Sequence, residues 1–205
     1  MYDLGDVLPE SAVAPGTNLL IAGPPMAGKT EVAYRILSHG TQAGEGAIIV
    51  TTTDGARKTL STYGDHVGEP EELPVGVVDC VTRQRGEDTD DTSRIKYASS
   101  PEDMTGIGIH LSELLEEFYS RRGLTENRIL LNSISTLLMY SDLQTVFRFL
   151  HVFTGRVASA DALGLYVIDS TTHDEQELNT LKQLFDGVLT VEDVDGEPSV
   201  STTGI

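Results

Sequence analysis

Gly23-Pro24-Pro25-Met26-Ala27-Gly28-Lys29-Thr30 is the segment that most limits what this chain can fold into. It has the spacing G-x-x-x-x-G-K-[ST], that of a phosphate-binding P-loop. The flanks suit it. Leu19-Leu20-Ile21-Ala22 is a short apolar run of strand character. Glu31–His39 reads as an amphipathic helix with Val32, Ile36 and His39 on one face. Strand, tight loop and helix form a cradle for an anion. Gly28 lets the backbone approach the phosphates, and the loop and helix amides point inward, where the helix dipole favours negative charge. Lys29 can reach the outer phosphates, and the Thr30 hydroxyl can ligate Mg²⁺. The expectation is a bound nucleoside triphosphate, held by Gly23, Pro24, Pro25, Met26, Ala27, Gly28, Lys29, Thr30 and Glu31.

Hydrolysis asks for more. A carboxylate at the end of a second buried strand usually supports the metal. The strand that fits is Arg128–Asn132, followed by Ser133, and it ends in Asn132 where an Asp is expected. An amide oxygen can accept a hydrogen bond from a metal-bound water but brings no charge. Three readings stand: a weakened metal site, an Asn that suffices, or another acid that substitutes. The metal residues named from sequence are Thr30 and Asn132.

The remaining patterns alternate. Strands are expected at Asn18–Ala22, Ala47–Thr52, Val75–Val81, Arg128–Asn132 and Leu165–Asp169. Helices are expected after the loop and over Gly55–Tyr63, Ile107–Arg121, Asp142–Ala158 and His173–Leu184. The apolar stripe of the third is Ile109, Leu111, Leu114, Leu115 and Phe118. Residues 83–105 read as an acidic loop, and Gly187–Glu192 with Ser199–Thr202 as a terminal β-hairpin. Such alternation implies a single α/β domain over residues 1–205, with a mostly parallel sheet and helices on both faces. Ligands of such sheets bind at the carboxyl ends of the strands, where Thr53, Asp54, Asn132 and Ser170 fall.

Charge narrows the partners. There are 32 acidic residues against 14 basic, four of them Lys, for a net charge of −18 spread along the chain. The even spread with few Lys favours a surface adapted to high salt, a halophilic pattern, over a surface for a basic partner. It offers no basic patch for nucleic acid, so none is expected as a ligand. No apolar stretch is long enough to span a membrane, and Asp3 and Asp6 occupy the place of a basic leader segment, so a cytoplasmic chain is expected. The one cysteine, Cys80, sits in an apolar run and reads as a buried thiol. Ser170 and Thr171 read as a helix cap rather than a phosphate sensor, and Arg121-Arg122 as a helix C-terminus. Asp79, Cys80, His39 and His110 fit no metal spacing.

With these motifs in place, the chain resembles the RecA-superfamily P-loop ATPases of the KaiC type, in particular an archaeal KaiC/GvpD-like group. The resemblance rests on Pro15–Gly23 leading into the loop, Ile49–Asp54, Ser99–Thr105, Asn132-Ser133-Ile134-Ser135, and Phe185–Leu189. It implies a RecA-like fold that binds ATP and Mg²⁺, with homo-oligomers or a regulatory protein as partners. The family's catalytic glutamate pair falls on Thr53 and Asp54, and its metal-side Asp on Asn132. Lys29 and Asp54 are then the catalytic residues, Asp54 being one methylene shorter than the family's acid. The hairpin stretch Glu192–Glu197 is acidic and offers no basic finger to a neighbour's nucleotide. The resemblance thus implies a slow, regulatory ATPase or a nucleotide-binding signalling module with little or no hydrolysis. A small-molecule phosphotransferase, with Arg83 and Arg85 in a lid, ranks last.

Overall fold

The apolar runs of the sequence form one sheet, and the order of its strands creates the functional cleft. A computed structural model describes residues 1–70 and 72–205. The chain opens with a two-stranded antiparallel ribbon, β1 (Tyr2–Asp3) and β2 (Ala12–Val13). Then follow β3 (Asn18–Gly23), α1 (Lys29–Gln42), β4 (Gly46–Thr51), α2 (Ala56–Val67), β5 (Val75–Asp79) and β6 (Ile95–Tyr97). Next come α3 (Met104–Arg122), β7 (Asn127–Asn132), α4 (Ile134–Tyr140), α5 (Leu143–Ser159), β8 (Leu163–Asp169) and α6 (Glu175–Lys182). The hairpin β9 (Gly187–Val194) and β10 (Glu197–Thr203) closes the chain. Among the described residues the main sheet has the order β10-β9-β3-β8-β7-β4-β5-β6. Every pairing in it is parallel except the β9–β10 hairpin.

Strands β3, β4 and β5 are buried along their whole length because helices cover both faces. Alternate residues part to the two sides. Leu20, Ile48, Val50, Ile129 and Leu131 pack with Leu111, Leu114 and Phe118 of α3 and Leu150 and Phe153 of α5. Leu19, Ile21, Ala47, Ile49 and Leu130 pack with Val32, Ile36 and Leu37 of α1 and Tyr63 of α2. The chain leaves β3 through α1 on this second side and crosses to β4. It leaves β8 through α6, whose Leu181 joins the first side, and crosses the other way to β9. The two connections thus leave adjacent strands on opposite faces of the sheet, which opens a crevice at their carboxyl ends.

The expected α/β sheet and hairpin are present, with differences in detail. Residues 83–105 are not one loop: they contain a 3-10 turn at Arg83–Arg85, the edge strand β6 and the start of α3. The Asp91 carboxylate holds the segment, accepting from the Tyr97 N–H at 3.0 Å and from Arg83 at 3.1 Å. Ile109 lies outside the core, 52% exposed, because the buried stripe of α3 runs through Ile107 and a residue two places on points to the opposite side. His39 is half-exposed beside Asp3 rather than in the core of α1. Helix α2 continues to Val67. The short helix α4 was not legible, and α6 starts at Glu175, capped by Asp174 rather than by Ser170 or Thr171. Among the described residues no helix is long and apolar enough to cross a membrane.

Candidate functional site

The loop from Gly23 to Thr30 joins the carboxyl end of β3 to the first turn of α1, the geometry expected of it. Met26 and Gly28 have φ of 64° and 85°, which turn the chain sharply into the helix. Two glycines are dictated by packing as well. A Cβ on Gly23 would lie 2.3 Å from the Val191 carbonyl oxygen of β9, and one on Gly28 would lie 3.0 Å from Pro198 of β10. The terminal hairpin therefore braces the loop from behind.

A cleft of about 490 Å³ lies in front of it, lined by Lys29, Thr30, Asp54, Asn132 and Asp169, with Tyr34 on its wall. Pro25, Met26, Gly28 and Glu31 also border this cleft, whereas Gly23, Pro24 and Ala27 do not line it. Pro24 contributes its carbonyl, which accepts a 2.6 Å hydrogen bond from Lys29 Nζ. Glu31 is 3.4 Å from His66. The sequence-selected Lys29, Thr30, Asp54 and Asn132 thus meet at one edge of the sheet, from α1, the β4–α2 turn and β7.

Each is fixed by local chemistry. Lys29 is almost fully buried, and its ammonium is 2.7 Å from Asp169 Oδ1. Asn132 is held through its backbone: its carbonyl accepts from the Thr52 N–H at 2.8 Å and the Thr52 hydroxyl at 3.1 Å. The following Ser133 N–H donates to that hydroxyl at 2.8 Å, and Ser133 caps α4. Asp54 sits in a turn closed by the Thr51 hydroxyl, which donates to its carbonyl at 2.8 Å. Its carboxylate pairs with Lys58 at 2.7 Å, one helical turn on. Tyr34 has its phenol pushed up to about 12, by burial first and the nearby Asp54 charge second, so it stays neutral.

Sequence reasoning missed Asp169 and Tyr34. Asp169 ends a buried strand, a visible signal. That β8 lies between β3 and β7 is a matter of strand order, which a linear reading does not supply. The other candidates separate from this site. Burial pushes the Cys80 thiol well up, leaving it a core group. Asp79 is fully buried and accepts from the Ala56, Val81 and Thr82 N–H groups, so it shapes the β5 turn. Arg83 is committed to the Tyr97 and Thr89 carbonyls and to Asp91, which removes it from any lid. Arg121 pairs with Glu117 in the last turn of α3, as a helix terminus would have it.

The comparisons agree with this architecture. Residues 16–191 match a family of unknown function, DUF7504. The chain belongs to that family. Its fold is similar to a solved KaiC-like protein from the hyperthermophilic archaeon Pyrococcus horikoshii OT3, with a TM-score of 0.61 and 13% identity. The likeness covers 92% of this chain and 77% of the other. No curated protein matches the sequence. The member described here therefore has the RecA-type fold of KaiC-like proteins.

Proposed function

We propose that this protein binds ATP with Mg²⁺ in the cleft before the Gly23–Thr30 loop, turns it over slowly, and acts as a regulator through its bound state. The observation that carries the reading is the loop itself: a P-loop sequence opening a 14-residue helix at the carboxyl end of β3, with Lys29 and Thr30 on the cleft wall. The triphosphate would lie along the loop amides, with Lys29 turned toward its outer phosphates. The donors facing the cleft are oxygens, from Thr30, Asn132 and the Asp54 and Asp169 carboxylates, a set that suits Mg²⁺. Mg²⁺ would neutralise phosphate charge there. Thr30 and Asn132 would hold it, Asn132 through water. Asp54 would orient the attacking water after leaving Lys58. We take the archaeal KaiC/GvpD-like proteins as kin on the motifs of the sequence, and ATP as the nucleotide on the same ground. Homo-oligomerisation or a regulatory protein partner belongs to the same proposal.

A second reading, a signalling module with little or no hydrolysis, is favoured by one feature. Both residues set to assist turnover are compromised: Asn132 is uncharged, and Asp54 is paired at 2.7 Å with Lys58. Turnover of wild type, Asn132→Asp and Asn132→Asp/Asp54→Glu decides between them. If the missing charge limits hydrolysis, Asn132→Asp raises turnover by about tenfold for each 1.36 kcal/mol of added transition-state stabilisation, with ATP affinity nearly unchanged. Wild-type turnover near or above ~1 s⁻¹ contradicts the module. A silent wild type contradicts the slow ATPase, and silence in all three shows that the missing carboxylates are not what keeps it silent.

A further inference from the structure

Lys29 is held by a carboxylate from another strand. Asp169 ends β8 directly beside Gly23, its register partner on β3. Two residues earlier on the same strand, Val167 pairs with Asn132 of β7. Asp169 thus stands between the phosphate loop and the position where a metal-side acid was expected. The strand end is anchored firmly. The Asp169 N–H donates to Ser135 Oγ at 2.9 Å, that hydroxyl is 2.9 Å from His173 Nε2, and the Ser170 N–H donates to the Gly23 carbonyl at 2.8 Å. The carboxylate itself is about one-third exposed and opens on the cleft.

This placement has an electrostatic consequence. When Lys29 turns to the phosphates, Asp169 loses its counter-charge and faces them. A bare triphosphate meets repulsion at short range in a partly enclosed site. A divalent cation placed between the two anions reverses the sign, since a carboxylate is a hard oxygen ligand for it. We propose, building on the nucleotide-binding reading above, that Asp169 is the metal-side carboxylate of this cleft. It neutralises Lys29 in the empty protein and takes the Mg²⁺ when the nucleotide arrives, so the cleft accepts triphosphate as its Mg²⁺ complex and discriminates against the free anion.

The test is calorimetric titration of ATP into wild type, Asp169→Asn and Asp169→Glu, each in excess Mg²⁺ and in EDTA. In wild type, Mg²⁺ is expected to strengthen binding strongly. In Asp169→Asn that enhancement falls by about ten- to a hundredfold, the scale of one charge-assisted contact, while affinity in EDTA rises. Asp169→Glu keeps the charge and retains most of the enhancement. Broadening of the Mn²⁺ electron paramagnetic resonance signal with ADP present, seen for wild type and Asp169→Glu but not Asp169→Asn, is the matching readout without turnover. Full Mg²⁺ enhancement in Asp169→Asn overturns the assignment and leaves Asp169 as a partner of Lys29 alone. A folded wild type that binds ATP in neither buffer overturns the nucleotide reading, and this one with it.

Discussion

Arg128 is fully buried at the start of β7, the strand that carries Asn132 at its other end. Its guanidinium forms a two-pronged pair with Glu45 at 2.7 and 2.9 Å and donates to the Ile36 and Asp3 carbonyls. A planar five-donor group suits such a set of acceptors, as lysine would not. Glu45→Ala leaves the buried charge without its counter-ion. The loss should approach the lower end of the ~3–5 kcal/mol found for half-broken buried pairs, because the two carbonyls remain. Urea unfolding measures it, and a change within experimental error would show that the pair is not what holds the end of β7. The same scale explains what the sequence could and could not tell about the site. The loop residues are contiguous, so their pattern was readable. Asn132 was readable from the residues that follow it. Arg128 with Glu45, and Lys29 with Asp169, join positions 83 and 140 residues apart, and no local pattern encodes either pairing.

Among the elements, the strands buried on both faces were legible because burial leaves an unbroken apolar run. Strand β6 was hidden because all three of its residues are only half-buried at the sheet edge. Helix α4 was hidden because it has seven residues, too few for a periodic stripe. Caps set several boundaries. Helix α3 begins at Met104 because the Asp103 carboxylate accepts from the Gly106 N–H at 2.9 Å. Burial works to raise the Asp103 carboxyl, but hydrogen bonds from Gly106 and Ser99 outweigh it and hold the group below its usual 3.8. A depressed carboxyl contributes stability that is complete above the unfolded value and is lost as pH falls through the folded one. Asp103→Ala is therefore expected to cost about 1 kcal/mol at neutral pH. The gap to wild type should close as pH drops below 3.8. Denaturant midpoints across pH check this, and a gap independent of pH would mean that the charge plays no part in the cap.

At the scale of the whole molecule, the sheet order makes the site and the charge sets its conditions. A net charge of −18 on 205 residues puts the surface under self-repulsion. If that charge is an adaptation to salt, the melting temperature rises with KCl, most steeply below about 0.5 M, where screening changes fastest. A rise confined to higher salt would instead point to strengthened apolar burial. The central claim is that the cleft before the Gly23–Thr30 loop binds a nucleotide through the P-loop, and calorimetry of ATP with Mg²⁺ on wild type and Lys29→Ala tests it most directly. The substitution removes the phosphate-facing cation and leaves Asp169 without its 2.7 Å partner. Affinity is expected to fall at least about tenfold, with far-UV circular dichroism unchanged. Equal ATP affinity in the two proteins would contradict the account.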